Sequence, residues 1–564
     1  MRLPAALHPL RLTVYRRLWI AFVITSLGTW LQNTGAAWLM TSLAPSPFFV
    51  AMVQAATILP AFLLALPGGA LADIVDRRRF LIGTQGWTML SAAVLAGLTL
   101  AHQTGAWGLL ALTFAIGIGS ALTAPAWSAI VPELVPRRDL VPAIALNGIG
   151  FNLARALGPA LAGFLVLLAG TGFAFALYAA SIGAVIWALA IWRKRRRDQL
   201  SALPREHLLS AMRAGMRFVR NTPAMRAAMV RVFAYSLPAA APWALLPLVV
   251  RDQLGLGPGM YGLILGLMGV GGVTSGMLLP AVTLRLDRGW TVVAATLASC
   301  GGMALLGVAR HWLVAAAGMA LFGTGWVAAF AVIQAAAQLV APPWVRARSL
   351  AIYQLAYNGA LTLGAFGWGW LGDEIGLSET LLAAAAFGVV TGALVRGFSL
   401  DTLPARALPG AAPEPLPEAP AAEFVPMLAH GRVLETMQYS VDPRRRGEFL
   451  DVMAEVRRVR GRAGAVVWQL YEDVAHPEGW LEVWAMESWT DHLREAGRMS
   501  HDDRAVLARA AAFQRDGLPP RPCRYLAVDP SRSKLPEVAR RHSGAAPEGA
   551  PGGRPARPAC DVRK

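Results

Sequence analysis

Long apolar segments, each about as long as a membrane is thick, follow one another through the first 400 residues. A transmembrane helix needs about 20 mostly apolar residues, and this pattern predicts twelve of them. Their predicted ranges are 18–41, 49–72, 80–101, 106–131, 142–168, 172–192, 226–250, 259–283, 290–309, 312–341, 347–371 and 379–398. Glycine and proline inside these segments are tolerated because neighbouring helices satisfy the backbone groups that they free. The chain is therefore predicted to be an integral membrane protein.

The polarity of the chain changes after residue 400. Residues 401–428 are rich in proline, alanine and glutamate, which predicts a linker. Residues 429–529 follow the order β-α-β-β-α-β and predict a small soluble ferredoxin-like α+β domain. Residues 530–564 have the composition of a disordered tail.

Basic residues are concentrated in every second loop along the whole series of predicted helices. Arginine clusters occur in alternate loops, at 77–79, 137–138, 193–197, 285–288 and 346–348. The positive-inside rule therefore puts both termini in the cytoplasm and requires an even number of spans. The longest loop, the cytoplasmic central loop at 193–225, separates two six-helix halves, 1–192 and 226–400. Paired halves of this kind are typical of secondary transporters.

Composition excludes several classes of function. The net charge is +18, but the basic excess of the membrane part lies in short loops, where it sets orientation, so we predict no nucleic-acid partner. The sequence lacks the Gly-x-x-x-x-Gly-Lys-Ser/Thr motif of ATP-driven proteins. No metal-ligand set, cofactor motif or nucleophile–base pair stands out, so we predict no metal, no cofactor and no catalytic residues. The predicted partners are the lipid bilayer and a small-molecule substrate.

The segment GALADIVDRR, residues 69–78, ends the second predicted helix. Gly69 permits close helix approach, and Asp73 can pair with Arg77 one turn later, with Arg78 adjoining. The segment resembles the G-x-L-A-D-x-x-G-R-R/K signature of the major facilitator superfamily, although Asp76 replaces the usual glycine. The resemblance predicts a conformational switch, and a simple membrane-surface charge cap is the alternative.

The segment RALGPALAG, residues 155–163, lies in the fifth predicted helix. Gly158, Pro159 and Gly163 permit a kink and tight packing, which suits a helix that moves between two states. The segment is similar to the G-P-x-x-G-G core of the superfamily's antiporter motif, with Ala162 in place of its first paired glycine. In that family the motif is typical of exporters, and ordinary helix packing is the alternative interpretation.

Arg155 lies near the middle of the fifth helix, where a charge costs at least about 2.5–3.5 kcal/mol. We expect it to face a central cavity and meet an anionic substrate group, and a structural clamp between helices is the alternative. The other polar residues predicted to line the cavity are Asn152, Asn147, Gln32, Asn33, Gln334, Gln338, Gln354 and Asn358. For any one of these, hydrogen bonding between helices is the alternative. No carboxylate lies deep inside a predicted helix, so the carrier of a coupling proton is not identified.

The stretch TAPAWSAIVPELV at 123–135, together with Asn147, Asn152 and Arg155, resembles the enterobactin-exporter-like bacterial branch of the major facilitator superfamily. The resemblance covers about residues 10–400. It implies export of a siderophore- or drug-like molecule across the inner membrane by alternating access, and proton coupling is implied by the family alone. An importer of the same fold is an alternative.

The segment WTDHLR at 489–494 resembles a fused C-terminal domain found in that branch. Its fold resembles the antibiotic-biosynthesis monooxygenase superfamily, whose members often dimerise through their sheets. The resemblance implies a regulatory or dimerising domain. Trp489 and His492 leave open a ligand pocket, and with it the alternative of a membrane-anchored enzyme or sensor.

Overall fold

The computed structural model describes residues 5–192, 208–342, 344–400, 432–515 and 522–527. The chain divides into two compact units. The first unit comprises Met1–Leu208, Ala224–Ala341 and Leu350–Thr402, and the second comprises Leu209–Pro223, Pro342–Ser349 and Leu403–Lys564. The predicted linker at 401–428 and the predicted tail at 530–564 lie outside the described residues.

Helices make up most of the described chain between residues 13 and 394, and all of them except Leu208–Asn221 lie mainly in the first unit. The helices up to residue 400 are α1 Thr13–Leu43, α2 Pro47–Ile74, α3 Arg77–Leu100, α4 Ala106–Leu134, α5 Leu140–Ile191, α6 Leu208–Asn221, α7 Pro223–Leu248, α8 Pro258–Thr283, α9 Arg288–Gly307, α10 Trp312–Val340, α11 Arg346–Ile375 and α12 Leu377–Leu394. Within the described residues, nine helices are long and apolar enough to cross a membrane. The prediction of a multi-pass helical membrane protein is confirmed at this level.

Helix α5 has 52 residues, which is too many for one crossing. At 1.5 Å per residue it would be roughly 78 Å long, against about 30 Å for the hydrocarbon core of a bilayer. Gly170 has a φ of 79°, a left-handed conformation that glycine adopts without a steric penalty, and it interrupts the helix. The resulting arms, 140–169 and 171–191, both pack against α1. They correspond to the fifth and sixth predicted helices.

Clusters of buried apolar side chains fill the interior of the first unit. Tyr235 and Trp326 of the second half share one cluster with Ala51 of α2. Phe175 of the first half shares another with Leu248 of α7. Apolar packing therefore continues across the contact between the halves.

The second unit contains a four-stranded sheet. Its strands and remaining helices are β1 Val433–Ser440, α13 Arg446–Ala463, β2 Val467–Glu472, β3 Gly479–Met486, α14 Trp489–Arg498, α15 His501–Ala511 and β4 Pro522–Leu526. The strand order is β2-β3-β1-β4, and every pair of neighbours is antiparallel. Phe449 on α13 packs on Tyr439 of β1 and Trp480 of β3, which joins helix and sheet in one small core.

Helix α6 occupies much of what the sequence analysis treats as the central loop. It belongs to the second unit together with the sheet. The carboxylate of Glu487 lies 2.7 Å from Arg213 and 3.9 Å from Arg217. The ring of Phe218 meets Trp344 edge-on, with 6.1 Å between centroids. The polar face of this amphipathic helix made it resemble a loop, whereas its apolar face is buried.

Six ionisable side chains form a network between the sheet and helices α13 and α14: Glu435, Arg460, Glu482, His492, Glu495 and Arg524. Arg460 contacts the carboxylates of Glu482 at 3.2 Å and Glu495 at 3.1 Å. Nδ1 of His492 lies 2.6 Å from Glu435, a distance that fits an ion pair although the geometry is not that of a directional hydrogen bond. Buried charges of this kind are tolerated only when they are paired.

The charge balance of this network fits a proton on His492 better than a metal ion. Side-chain atoms of Glu435, His492 and Glu495 lie within 4.8 Å of one another and form a set that sequence spacing did not reveal. The network has three carboxylates and two arginines, so one proton on the imidazole makes it neutral. Burial alone would lower the pKa of His492, but contacts with the two carboxylates outweigh burial and raise the pKa to about 9.

This raised pKa predicts that the second unit loses stability in alkali. Because the folded-state pKa exceeds the ordinary value of 6.5, the contribution of His492 is complete below that pH and is lost as the pH rises through about 9. Its size is at most roughly 3–4 kcal/mol, at ~1.4 kcal/mol per pKa unit. Limited proteolysis of the full-length protein in detergent should show His492→Gln as destabilised near pH 6 and nearly equal to wild type above pH ~9.

The matched control is His476→Gln, which removes an exposed imidazole from the same unit. Its resistance to proteolysis should equal that of the wild type at every pH. A destabilisation by His492→Gln that stays constant across this range would contradict the assignment of a proton to the network.

Candidate functional site

A cavity of about 190 Å³ lies inside the first unit, between its two halves. Helices α1 and α5 line it from the first half, and α7, α8, α10 and α11 line it from the second. Leu265, Met268 and Gly269 of α8 and Val327 of α10 contribute apolar surface. The residues with distinctive chemistry in the lining are Trp30, Arg155, Pro159, Trp243, Trp326 and Tyr357.

Arg155 brings a charge into this cavity. It is half-buried, and it lies near the centre of the first arm of α5. It lies against α8, where a Cβ added at Gly272 would be in ordinary contact with its Nη2 at 3.6 Å. The α5 backbone itself approaches Gly269 closely, since a Cβ added there would lie 2.9 Å from the Cα of Ala156. Among the residues that the structure describes, no carboxylate forms an ion pair with Arg155.

Aromatic rings form the wall of the cavity on the second half. Trp326 is the central ring, with 5.7 Å between its centroid and that of Trp243 and 6.2 Å to that of Tyr357. The indole N–H of Trp243 is buried and has no hydrogen-bond partner within the described part of the chain. The cavity thus combines a guanidinium group with several π surfaces.

Contacts between the halves close one end of the cavity. A Cβ added at Gly163 of α5 would lie 2.7 Å from the Cα of Gly262 on α8, so the two backbones touch there. At the same end, Ser46 donates a hydrogen bond of 2.9 Å to Asp373. Arg251 donates to Thr41 at 2.9 Å.

Toward the other end, α5 and α8 separate. Gly148 and Gly276 continue, by helical spacing, the stripes that touch near the cavity, yet an added Cβ would meet nothing within 4 Å at either position. Val141 is 77% exposed and Leu284 is 87% exposed. Within the described residues, α5 and α8 therefore approach each other closely at one end and are apart at the other.

Most of the predicted polar residues do not line this cavity. Arg155 does, together with Pro159 from the predicted switch set. Asn147 accepts a hydrogen bond from Tyr15 at 3.2 Å, and Asn152 is exposed and donates to the carbonyl of Gly148.

The remaining five predicted residues and Gln32 lie elsewhere on their helices. Gln32 is 2% exposed, and its amide nitrogen has no hydrogen-bond partner among the described residues. Asn33, Gln334, Gln354 and Asn358 are half-buried and Gln338 is exposed. Their participation in binding stays a prediction.

The predicted switch residues lie in two places. Gly158 allows Trp30 to reach the cavity, because a Cβ there would lie 2.5 Å from the indole ring. Arg78 donates hydrogen bonds to the carbonyls of Leu189 at 2.7 Å and Ala190 at 2.6 Å, at the end of α5.

Part of the first motif cannot be compared with the prediction. Arg77 begins α3 after Asp76, whose side chain accepts a hydrogen bond from the backbone of Arg79. Side-chain contacts at 65–74, which include Gly69 and Asp73, lie outside the described residues. The predicted pair of Asp73 with Arg77 stays a prediction.

The sequence analysis missed the aromatic wall. Trp30, Trp243, Trp326 and Tyr357 are apolar enough to count as ordinary membrane-helix residues, so hydropathy does not single them out. Tryptophan and tyrosine normally concentrate at the two membrane interfaces. Trp326 and Tyr357 instead lie near the middle of α10 and α11. Their distance from the helix ends is the signal that could have identified them.

Comparisons with characterised proteins place the chain among membrane transporters. Over 141 residues it is 28% identical to the staphyloferrin A transporter of Staphylococcus aureus, a match that spans 25% of this chain and 36% of that protein. Over 277 residues it is 25% identical to the enterobactin exporter EntS of Escherichia coli O1:K1, spanning 48% and 63% respectively. The matched regions therefore cover about a third to just under two thirds of these relatives.

Solved structures show the same fold at low identity. The nucleoside transporter NupG superposes with a TM-score of 0.58 at 12% identity, covering 68% of this chain and 99% of that one. A bacterial homologue of the iron transporter ferroportin, in an inward-facing state, gives 0.52 at 18% identity over 68% and 99%. The match to the transmembrane secretion effector family extends over residues 4–532. With this span and the two-halved helical fold, the chain belongs to the transmembrane secretion effector family of the major facilitator superfamily.

Proposed function

We propose that the protein is a secondary active transporter that exports a small organic molecule by alternating access. The observation that carries the proposal is a cavity between two helical halves whose described helices α5 and α8 touch at one end and separate at the other. Secondary transporters bind their substrates at the interface between repeats, near the middle of the membrane. Arg155, at the centre of its helical arm, supplies the polar contact that such a site needs.

The proposed topology has twelve spans. The nine apolar helices include the two-armed α5, and α1 and α11, with 31 and 30 residues, are long enough to cross as well. Arginine-rich loops put both termini in the cytoplasm. The closed end of the cavity then faces the outside and the parted end faces the cytoplasm, where an exporter takes up its cargo.

The direction and the cargo class rest on the relatives. The names enterobactin exporter and staphyloferrin A transporter favour a siderophore-like molecule, and the similarity of residues 155–163 to the antiporter motif favours export. Proton coupling is part of the proposal, and it rests on the resemblance to the superfamily alone.

The C-terminal part is proposed to be a ferredoxin-like accessory domain. Its strand order and its antiparallel neighbours match a βαββαβ sandwich. His492 is engaged in the buried charge network, which favours a structural role for this residue over catalysis. The ion pair of Glu487 with Arg213 attaches the domain to α6, the helix that directly precedes α7 in the chain. Dimerisation through the sheet stays a prediction.

Transport in proteoliposomes tests this proposal. Protein of known orientation, with an imposed pH gradient, should move a siderophore or hydrophobic drug from the cytoplasmic face outward. Arg155→Ala should insert normally but transport roughly 10- to 100-fold more slowly, the loss expected for one charge-assisted hydrogen bond. Uptake in the opposite direction would identify an importer, and an unchanged rate for Arg155→Ala would remove this residue from the site.

A second prediction concerns the closed end. Gly163→Leu should force α5 and α8 apart, because even a Cβ at this position would overlap the backbone of α8. Transport should fall at least ~10-fold if closure costs more than about 1.4 kcal/mol, and cysteines placed near residue 262 should become more accessible to a polar thiol reagent. Gly97→Leu, at an exposed position with nothing within 4 Å, is the matched control and should retain activity. Normal transport by Gly163→Leu would contradict the assigned closure.

A further inference from the structure

We propose that the cavity selects organic anions that carry a planar aromatic ring, in preference to organic cations and to aliphatic anions. The inference rests on the proposed transport function and adds a substrate class to it. It follows from the charge of the lining, from the rings that face Arg155, and from the size of the space.

The charge of the cavity selects against cations. Arg155 is the charged residue of the lining, and within the described residues no carboxylate is paired with it. A guanidinium group near mid-membrane costs at least about 2.5–3.5 kcal/mol unless a partner offsets it. A carboxylate, phenolate or similar group on the substrate supplies that partner, whereas an organic cation would add a like charge at the same depth.

The aromatic wall selects for a ring. Trp243, Trp326 and Tyr357 lie on the second half, and Trp30 reaches the cavity from the first half. Aromatic pairs contribute about 0.5–1.5 kcal/mol beyond the burial of their area. An aliphatic acid would form an ion pair with Arg155 but would lack this aromatic contribution to binding.

The volume sets the size of the bound group. A cavity of ~150 Å³ holds benzene, and sites for drug-sized ligands measure about 300–1,000 Å³. At about 190 Å³, this cavity accepts one substituted ring system in the observed conformation. A larger cargo would place one aryl arm with its acidic group here, and the rest would extend toward the parted end.

Isothermal titration of the purified full-length protein tests the inference with three probes. These are 1-naphthoate, cyclohexanecarboxylate as the aliphatic anion, and 1-naphthylmethylamine as the aromatic cation. We expect 1-naphthoate to bind at least ~10-fold more tightly than either of the others, a difference of about 1.4 kcal/mol. Equal affinity for the cation, or for the aliphatic acid, would overturn the proposal.

Variants separate the two parts of the selectivity. Arg155→Gln should lose most of the affinity for 1-naphthoate and most of the discrimination against the amine. Trp326→Leu should lower the affinity for 1-naphthoate and leave that for cyclohexanecarboxylate nearly unchanged. The matched controls are Arg310→Gln, an exposed arginine, and Trp107→Leu, a tryptophan that is 66% exposed, and both should bind like wild type.

The outcomes distinguish this inference from the proposed function. If wild-type vesicles export a compound but 1-naphthoate binds no better than the amine, the substrate class is wrong and the transport function stands. If 1-naphthoate binds selectively while no siderophore, drug or aromatic acid is transported, the proposed function fails. Full affinity in Arg155→Gln, with the protein monodisperse on size exclusion, would overturn the role assigned to the guanidinium group.

Discussion

The uncompensated charge of Arg155 is the constraint on which the rest of the transport unit depends. A guanidinium group at mid-membrane must reach water, an anion or a polar partner. The fold meets this need with a cavity between its halves, in which Arg155 of α5 lies against α8. Trp326 and its neighbouring rings complete the wall, so the guanidinium group lies in a cavity lined largely by aromatic rings.

Small residues then determine how the halves meet around that site. Gly163 and Gly262 let two helix backbones touch at one end, whereas the same stripes, continued to Gly148 and Gly276, have empty space beside them. Because small residues line this contact, the two backbones come close without interlocking large side chains. The hydrogen bonds of Asp373 stabilise the closed end and add a polar contact that can be exchanged.

Features that depend on the polarity of one segment could be predicted from the sequence. Features that depend on how helices pack against one another could not. Hydropathy predicted the membrane helices, and the intrinsic cost of burying a charge identified Arg155. Residues such as Gln334 and Gln354 were grouped by polarity, but the rotation of each helix is set by its neighbours, and these side chains are not in the cavity lining. The aromatic residues and the buried face of α6 were not predicted, because hydropathy does not distinguish apolar side chains that face lipid from those that face the core or a cavity.

In the proposed site, Arg155 and the aromatic wall together bind the anionic ring of the substrate. An experimental structure of the full-length protein with 1-naphthoate is the decisive measurement. We expect the carboxylate within hydrogen-bond distance of the Arg155 guanidinium group and the ring against Trp326. Density for the probe elsewhere in the molecule, or Arg155 paired with a carboxylate of the protein itself, would exclude this site.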